Sequence, residues 1–172
     1  MATYPVRWRD RDFVMEDLTV GKKKAFCDWL ILKLRSEAIV DLRGQTNVLS
    51  AYLDGLRARV WWVANGASPA VVDALKSPEG GLQYNRLLFG ESAKGLTDDE
   101  LAALVADKEA EQEAANEGAV AGGFKPSEDC PFPPANDYML ALEAIHEAAN
   151  PKRQARPTSG SATTGTTLPG AS

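Results

Sequence analysis

One histidine, His146, stands in this 172-residue sequence, flanked by Glu143 and Glu147. A histidine general base needs a group that orients it and a proton within reach. Cys27 and Cys130 are the only thiols, and a Cys-His nucleophile would require the chain to fold one of them back onto His146. Two cysteines and one histidine at these distances do not make a zinc site, which takes four ligands in close pairs. The acids that follow Thr97 lack the glycine turn of a calcium loop. Gly21-Lys22 has neither the earlier glycine nor the following Ser/Thr of a phosphate-binding loop. No serine sits in a nucleophile elbow. The residues therefore point away from an enzyme, from a metal centre and from any bound cofactor, and His146 reads as a solvated helical side chain.

Other residue groups suit contact with a macromolecule. Lys22, Lys23 and Lys24 sit in the first turn of an expected helix, where positive charge opposes the helix dipole at about 0.3–1 kcal/mol each when exposed. Such a placement suits a basic patch, joined by Arg7, Arg9 and Arg11, for an acidic partner. Trp61 and Trp62 are adjacent and cannot share one helix face, which leaves at least one indole at the rim, and tryptophan is favoured at interfaces. Late in the chain Tyr138, Leu142 and Ile145 form an apolar stripe suited to recognition by a tethered helix; the alternative is that this helix folds back on the core.

The elements that carry these groups read as mainly α. Val6 and Trp8 alternate with Arg7 and Arg9, Asp10-Arg11-Asp12 can turn the chain, and Phe13-Val14-Met15 returns, which gives an N-terminal β-hairpin over about residues 4–16. Thr19 caps a helix that runs to about Leu42, with Phe26, Trp29, Leu30, Leu34 and Ala38 on its apolar face and Gly44 beyond its end. Leu49, Tyr52, Leu53, Leu56, Val60 and Val63 keep helical spacing over four turns, with Gly66 as terminator and Gly55 as a point of close packing. Ser68-Pro69 and Ser77-Pro78 each open a short helix, and Thr97-Asp98-Asp99-Glu100 is a capping box. Beyond Leu101, Leu104 and Val105 that last helix turns Glu- and Ala-rich, a half expected to be solvated or held by a partner.

Composition divides the chain into a helical domain with its hairpin (1–117), a Gly/Pro-rich linker (118–135), a short amphipathic helix (136–150) and a disordered Ser/Thr/Gly tail (151–172). Deleting residues 118–172 is then expected to leave the domain folded. Net charge is −5, with eight acids against one base over 97–117 and eight bases against five acids over 5–35. An acidic total disfavours a dedicated nucleic-acid binder, while the asymmetry lets one end of the molecule attract the other or a second copy. Cys27 reads as a small buried hydrophobe, and Cys130, in a proline-rich stretch, as an exposed thiol. No apolar run approaches a membrane span and no secretory h-region opens the chain, so cytoplasmic residence is expected.

The hairpin followed by Phe13-Val14-Met15-Glu16-Asp17-Leu18-Thr19-Val20-Gly21, the run Ser77-Pro78-Glu79-Gly80-Gly81-Leu82, and Gly95-Leu96-Thr97-Asp98-Asp99-Glu100-Leu101 together resemble the tail assembly chaperones of long-tailed phages over about residues 4–110. The resemblance implies a protein that coats the aggregation-prone tape measure protein, helps recruit tail tube subunits and has no catalytic residues to carry over. It also allows a C-terminal extension made by ribosomal frameshifting, with self-association as a further possibility. A structural virion component, such as a connector or tail-completion protein, and a small DNA-binding or anti-host regulator are the competing readings.

Overall fold

A computed structural model describes residues 1–123 and 135–150. Within them the fold is mainly α, with six α-helices and an N-terminal antiparallel hairpin. Strands β1 (Thr3–Trp8) and β2 (Arg11–Glu16) pair with Val6 opposite Phe13 and Trp8 opposite Arg11. The loop is therefore the two residues Arg9 and Asp10, one step earlier than the sequence suggests. Both hold positive φ (47° and 58°), the geometry whose twist suits a two-residue hairpin loop. Alternation puts Val6, Trp8, Phe13 and Met15 on the buried face. Two open backbone edges remain, and side chains close both. Asp137 accepts from the Arg7 amide at 2.7 Å, while Ser92 Oγ accepts from the Val14 amide at 3.1 Å and donates to the Val14 carbonyl at 2.8 Å. Capped in this way, the ribbon offers little to a foreign strand.

Helix α1 (Val20–Asp41) starts where Thr19 accepts from the Lys22 amide. Helix α2 (Thr46–Arg59) returns against it. The sequence reading extends α2 through Val63, but the helix ends at Arg59. Val60 is already extended, and Trp62–Val63 (β3) pairs with Gly66–Ala67 (β4). Gly66 is thus a strand residue and not a helix stop. Ser68 secures the change of direction: its hydroxyl accepts from the Trp61 amide at 3.3 Å and from the Val71 amide at 3.4 Å, and its own amide donates to the Trp61 carbonyl. Gly55 packs against no core element. Its space is taken by the Arg59 guanidinium, which donates to the Gly55 and Tyr52 carbonyls.

Helices α3 (Pro69–Lys76) and α4 (Pro78–Phe89) are capped by Ser68 and Ser77 as their Ser-Pro pairs foretell. Ser77 serves both, donating to the Ala74 carbonyl and accepting from the Gly80 amide. Gly80 is required there: a Cβ on it would stand 1.9 Å from the Ala74 carbonyl oxygen. After a 3-10 turn (Gly90–Ala93), helix α5 (Asp98–Ala121) opens on the full capping box of Thr97 and Glu100. It runs through Gly118, so the expected linker begins later than residue 118; most of that linker, with Cys130, and the whole tail from Pro151 lie outside the described residues.

Helix α6 (Asp137–Ala149) lies on the core, against β1 and α5. Tyr138, Ala141 and Ile145 are buried there. Tyr138 stacks on Phe89 at 6.4 Å and donates to Asn85 at 2.9 Å. Asp137 pairs with Lys108 at 3.0 Å, and the Asn136 amide group donates to the Lys108 carbonyl and its backbone N–H to Gln112. The acidic half of α5 is therefore held by the chain's own last helix. Deletion of 118–172 would uncover Phe89 and strip a buried Lys108 of one of its two carboxylates, against the sequence expectation that the domain would stand without that segment.

Two apolar clusters result. One joins the ribbon to α4, α5 and α6; the other joins Phe26, Cys27 and Leu30 of α1 to Val60 and Val71. Tyr84 touches both. Among the described residues no helix is long and apolar enough to cross a membrane.

A candidate protein-binding groove

The β3–β4 hairpin and the last turns of α6 stand apart across an open groove of about 960 Å³. Its apolar part comes from Leu18, Trp62, Val63, Ala67 and Ala149, and its polar part from Lys23, Asn65, Glu143, Glu147 and Asn150. Trp62 is half-buried and held edge-on to Phe26, with centroids 5.5 Å apart, and beside Tyr84 at 6.1 Å. Val63 forms the lip and is 55% exposed. Trp61, just before β3, lies against Gly66, 44% exposed and outside the groove. One indole does reach the surface, as the adjacency of the two tryptophans requires, but from an extended segment and not from a helix face.

The three lysines do not make one basic patch. Lys22 pairs with Glu16 at 2.8 Å. Lys24 turns outward to Asp28 at 2.6 Å. Lys23 alone turns into the groove, where its ammonium donates to the Val63 carbonyl at 3.3 Å and lies 5.8 Å from the Trp62 ring. Burial lowers the Lys23 pKa. Three consecutive helical residues are spread about 100° apart, so the run cannot present a single charged face. Arg7, Arg9 and Arg11 are on the ribbon; Arg9 stacks on Trp8 at 4.3 Å and faces Asp107 at 3.5 Å.

His146 also lines the groove, exposed on its helix as the sequence suggests and hydrogen-bonded to Tyr84. Burial pushes the Tyr84 hydroxyl up to about 12 and lowers the His146 pKa. The hydroxyl and Nε2 share a hydrogen bond of 3.0 Å whose direction follows the imidazole tautomer. This bond ties α4 to α6. Cys27, as its sequence context suggests, is a buried core residue, its thiol pKa raised by burial and by Asp28, and it does not line the groove.

Of the residues singled out from sequence on α6, Tyr138 and Ile145 are spent on the internal core, and Leu142 is half-buried against it. Their apolar stripe is already matched within the molecule. The β3–β4 hairpin and the Tyr84–His146 bond escaped the sequence reading. Asn65-Gly66 after Trp62-Val63 is the local turn signal that announces the hairpin; nothing local announces a bond between residues 62 positions apart.

No family model matches the chain, and neither a curated protein nor a solved structure does so.

Proposed function

We propose that this chain is a phage tail assembly chaperone that holds an apolar segment of the tape measure protein in the groove between β3–β4 and α6 and so promotes tail tube assembly. One observation carries the reading: the groove has an apolar wall set by Trp62, an exposed valine at its lip and a polar rim of Asn65, Glu143, Glu147 and Asn150, with Lys23 buried at its side. That is the anatomy of a protein-recognition surface, with an apolar centre that supplies affinity and a polar edge that sets orientation. The sequence resemblance supplies the partner's identity. The charged groups disfavour duplex DNA as the partner: among the described residues Lys22, Lys24, Lys33, Arg9 and Arg86 are paired with carboxylates, which interrupts the basic stripe that would follow a phosphate backbone.

The test is capture by the full-length chain from phage-infected cells, with the bound protein identified and the complex rebuilt from purified components. Val63→Asp places a charge at the lip without touching the buried core. It should weaken tape measure binding by about tenfold or more, the range expected for truncating or charging a central interface residue. Equal binding by V63D, or recovery of the chain at fixed copy number in purified virions, would refute the chaperone reading, the second result in favour of a connector or tail-completion protein.

A further inference from the structure

Away from that groove, α1 and α2 carry more apolar surface than one chain covers. Leu32 is 63% exposed, Val40 71%, Ile39 47% and Val48 52%. Helix α2 fully buries only Leu56 and packs mainly against α1. A helix of 14 residues is marginal without an apolar face that is covered. Between the two helices runs a second groove, about 560 Å³, with Leu32 and Leu56 on its walls.

The charges on those walls are patterned. On the α1 side Asp28 lies at one end and Arg35 at the other; on the α2 side Asp54 and Arg57 do the same. Because α2 runs back along α1, the two acid-to-base directions are opposed, and the groove carries no net charge. A two-fold axis crossing the middle of the groove lays each helix antiparallel over its own copy. Asp28 then meets the other copy's Arg35, Asp54 meets the other copy's Arg57, and the exposed Leu32 meets its own counterpart at the centre. A surface that complements itself under a two-fold operation is what an isologous dimer requires. A foreign helix would need a matching alternation of its own.

We infer that two copies of this chain associate through the α1–α2 face, with Leu32 at the centre and the Asp54–Arg57 and Asp28–Arg35 pairs at its edges. Lys24 holds Asp28 in the free chain at 2.6 Å, an exposed pair that dimerisation exchanges for Arg35. A face two helices wide and about 20 Å long is at the small end of specific interfaces.

Sedimentation velocity on the full-length chain from about 1 to 300 µM tests this. The expected result is a concentration-dependent monomer–dimer equilibrium. Asp54→Arg sets like charges against each other twice by symmetry and should weaken the dimer about tenfold. The double variant D54R/R57D restores complementarity with the signs exchanged and should recover most of that loss. Leu32→Asp should abolish the dimer, and far-UV circular dichroism confirms that each variant is folded. A chain that stays monomeric throughout overturns the inference and leaves the groove to a helix of another protein. A dimer indifferent to D54R and L32D overturns the placement of the interface.

Discussion

Ile145→Ala tests whether the last helix is part of the core. Ile145 is fully buried, as are Val6, Phe13, Leu101 and Leu104 in the same cluster. Shortening it removes most of an aliphatic side chain and leaves a cavity between rigid elements that cannot collapse onto it. Such substitutions cost about 2–5 kcal/mol, and a site closed on several sides belongs in the upper half of that range. For a domain near 140 residues each kcal/mol moves the melting temperature by about 3–4 °C, so a fall of about 10–20 °C is expected. Leu142→Ala, one step around the helix and half-buried, should cost well under half as much. The assay is urea unfolding followed by far-UV circular dichroism, reading the midpoint at constant slope. An Ile145→Ala protein within 0.5 kcal/mol of the parent would mean that α6 is not docked, and would return its stripe to partner binding.

Two further perturbations probe the packing. Gly80→Ala drives a methyl group into the Ala74 carbonyl and should destabilise the chain by at least about 2 kcal/mol, a backbone clash that no rotamer relieves; Gly81→Ala, whose Cβ would meet its nearest atom at 3.7 Å, should be neutral or stabilising by up to about 1 kcal/mol, and equal losses at both positions in thermal unfolding would refute this account of the α3–α4 junction. Burial raises the Asp137 carboxyl, but the Arg7 amide and the Lys108 ammonium outweigh it and hold the pKa below the ordinary 3.8. Asp137 therefore adds stability that is present above that value and lost as the pH falls through its folded pKa. The urea midpoint of Asp137→Asn should lie below the parent's at pH 7 and approach it as the pH is taken down through the folded pKa, below 3.8, and a difference that does not change with pH would exclude the ion pair as its origin.

Much of the fold is written in short-range grammar. Thr19, Ser68, Ser77 and Thr97 each announce a helix start because the cap bonds reach only two or three residues along the chain, and the structure places a helix after each. The hairpin is legible from the alternation Val6, Trp8, Phe13, Met15, although its loop is displaced because Arg9 and Asp10 adopt positive φ, a conformation usually left to Gly, Asn or Asp. The end of α2 is not legible from periodicity. Val60 and Val63 fall on the helical face of Leu49, Leu53 and Leu56, and the β-branched and aromatic run Val60-Trp61-Trp62-Val63 suits a strand equally well. Tertiary burial decides between them: Trp62 gains Phe26 and Tyr84 only if the chain leaves the helix at Val60.

The candidate sites fail differently, because a stripe of apolar residues says that a helix will be covered and not by what. Tyr138 and Ile145 on α6, and Leu32 and Ile39 on α1, satisfy the same periodic rule. The difference lies in what surrounds each stripe. Ahead of α6 stand Asn136 and Asp137, which cap the helix and engage the Arg7 amide and the Lys108 side chain and carbonyl. These bonds specify a docking position, and Lys108, nearly out of water, stays charged because Asp137 and Glu111 overcome the burial that opposes it. Among the described residues no comparable bond from another element closes over Leu32, Ile39 or Val40; Asp28 and Arg35, which flank Leu32, line an open groove, and Asp28 is held only by the exposed Lys24. Polar groups that can be satisfied only in one arrangement separate an internal contact from an external one, and they are the residues a pattern of hydrophobicity passes over.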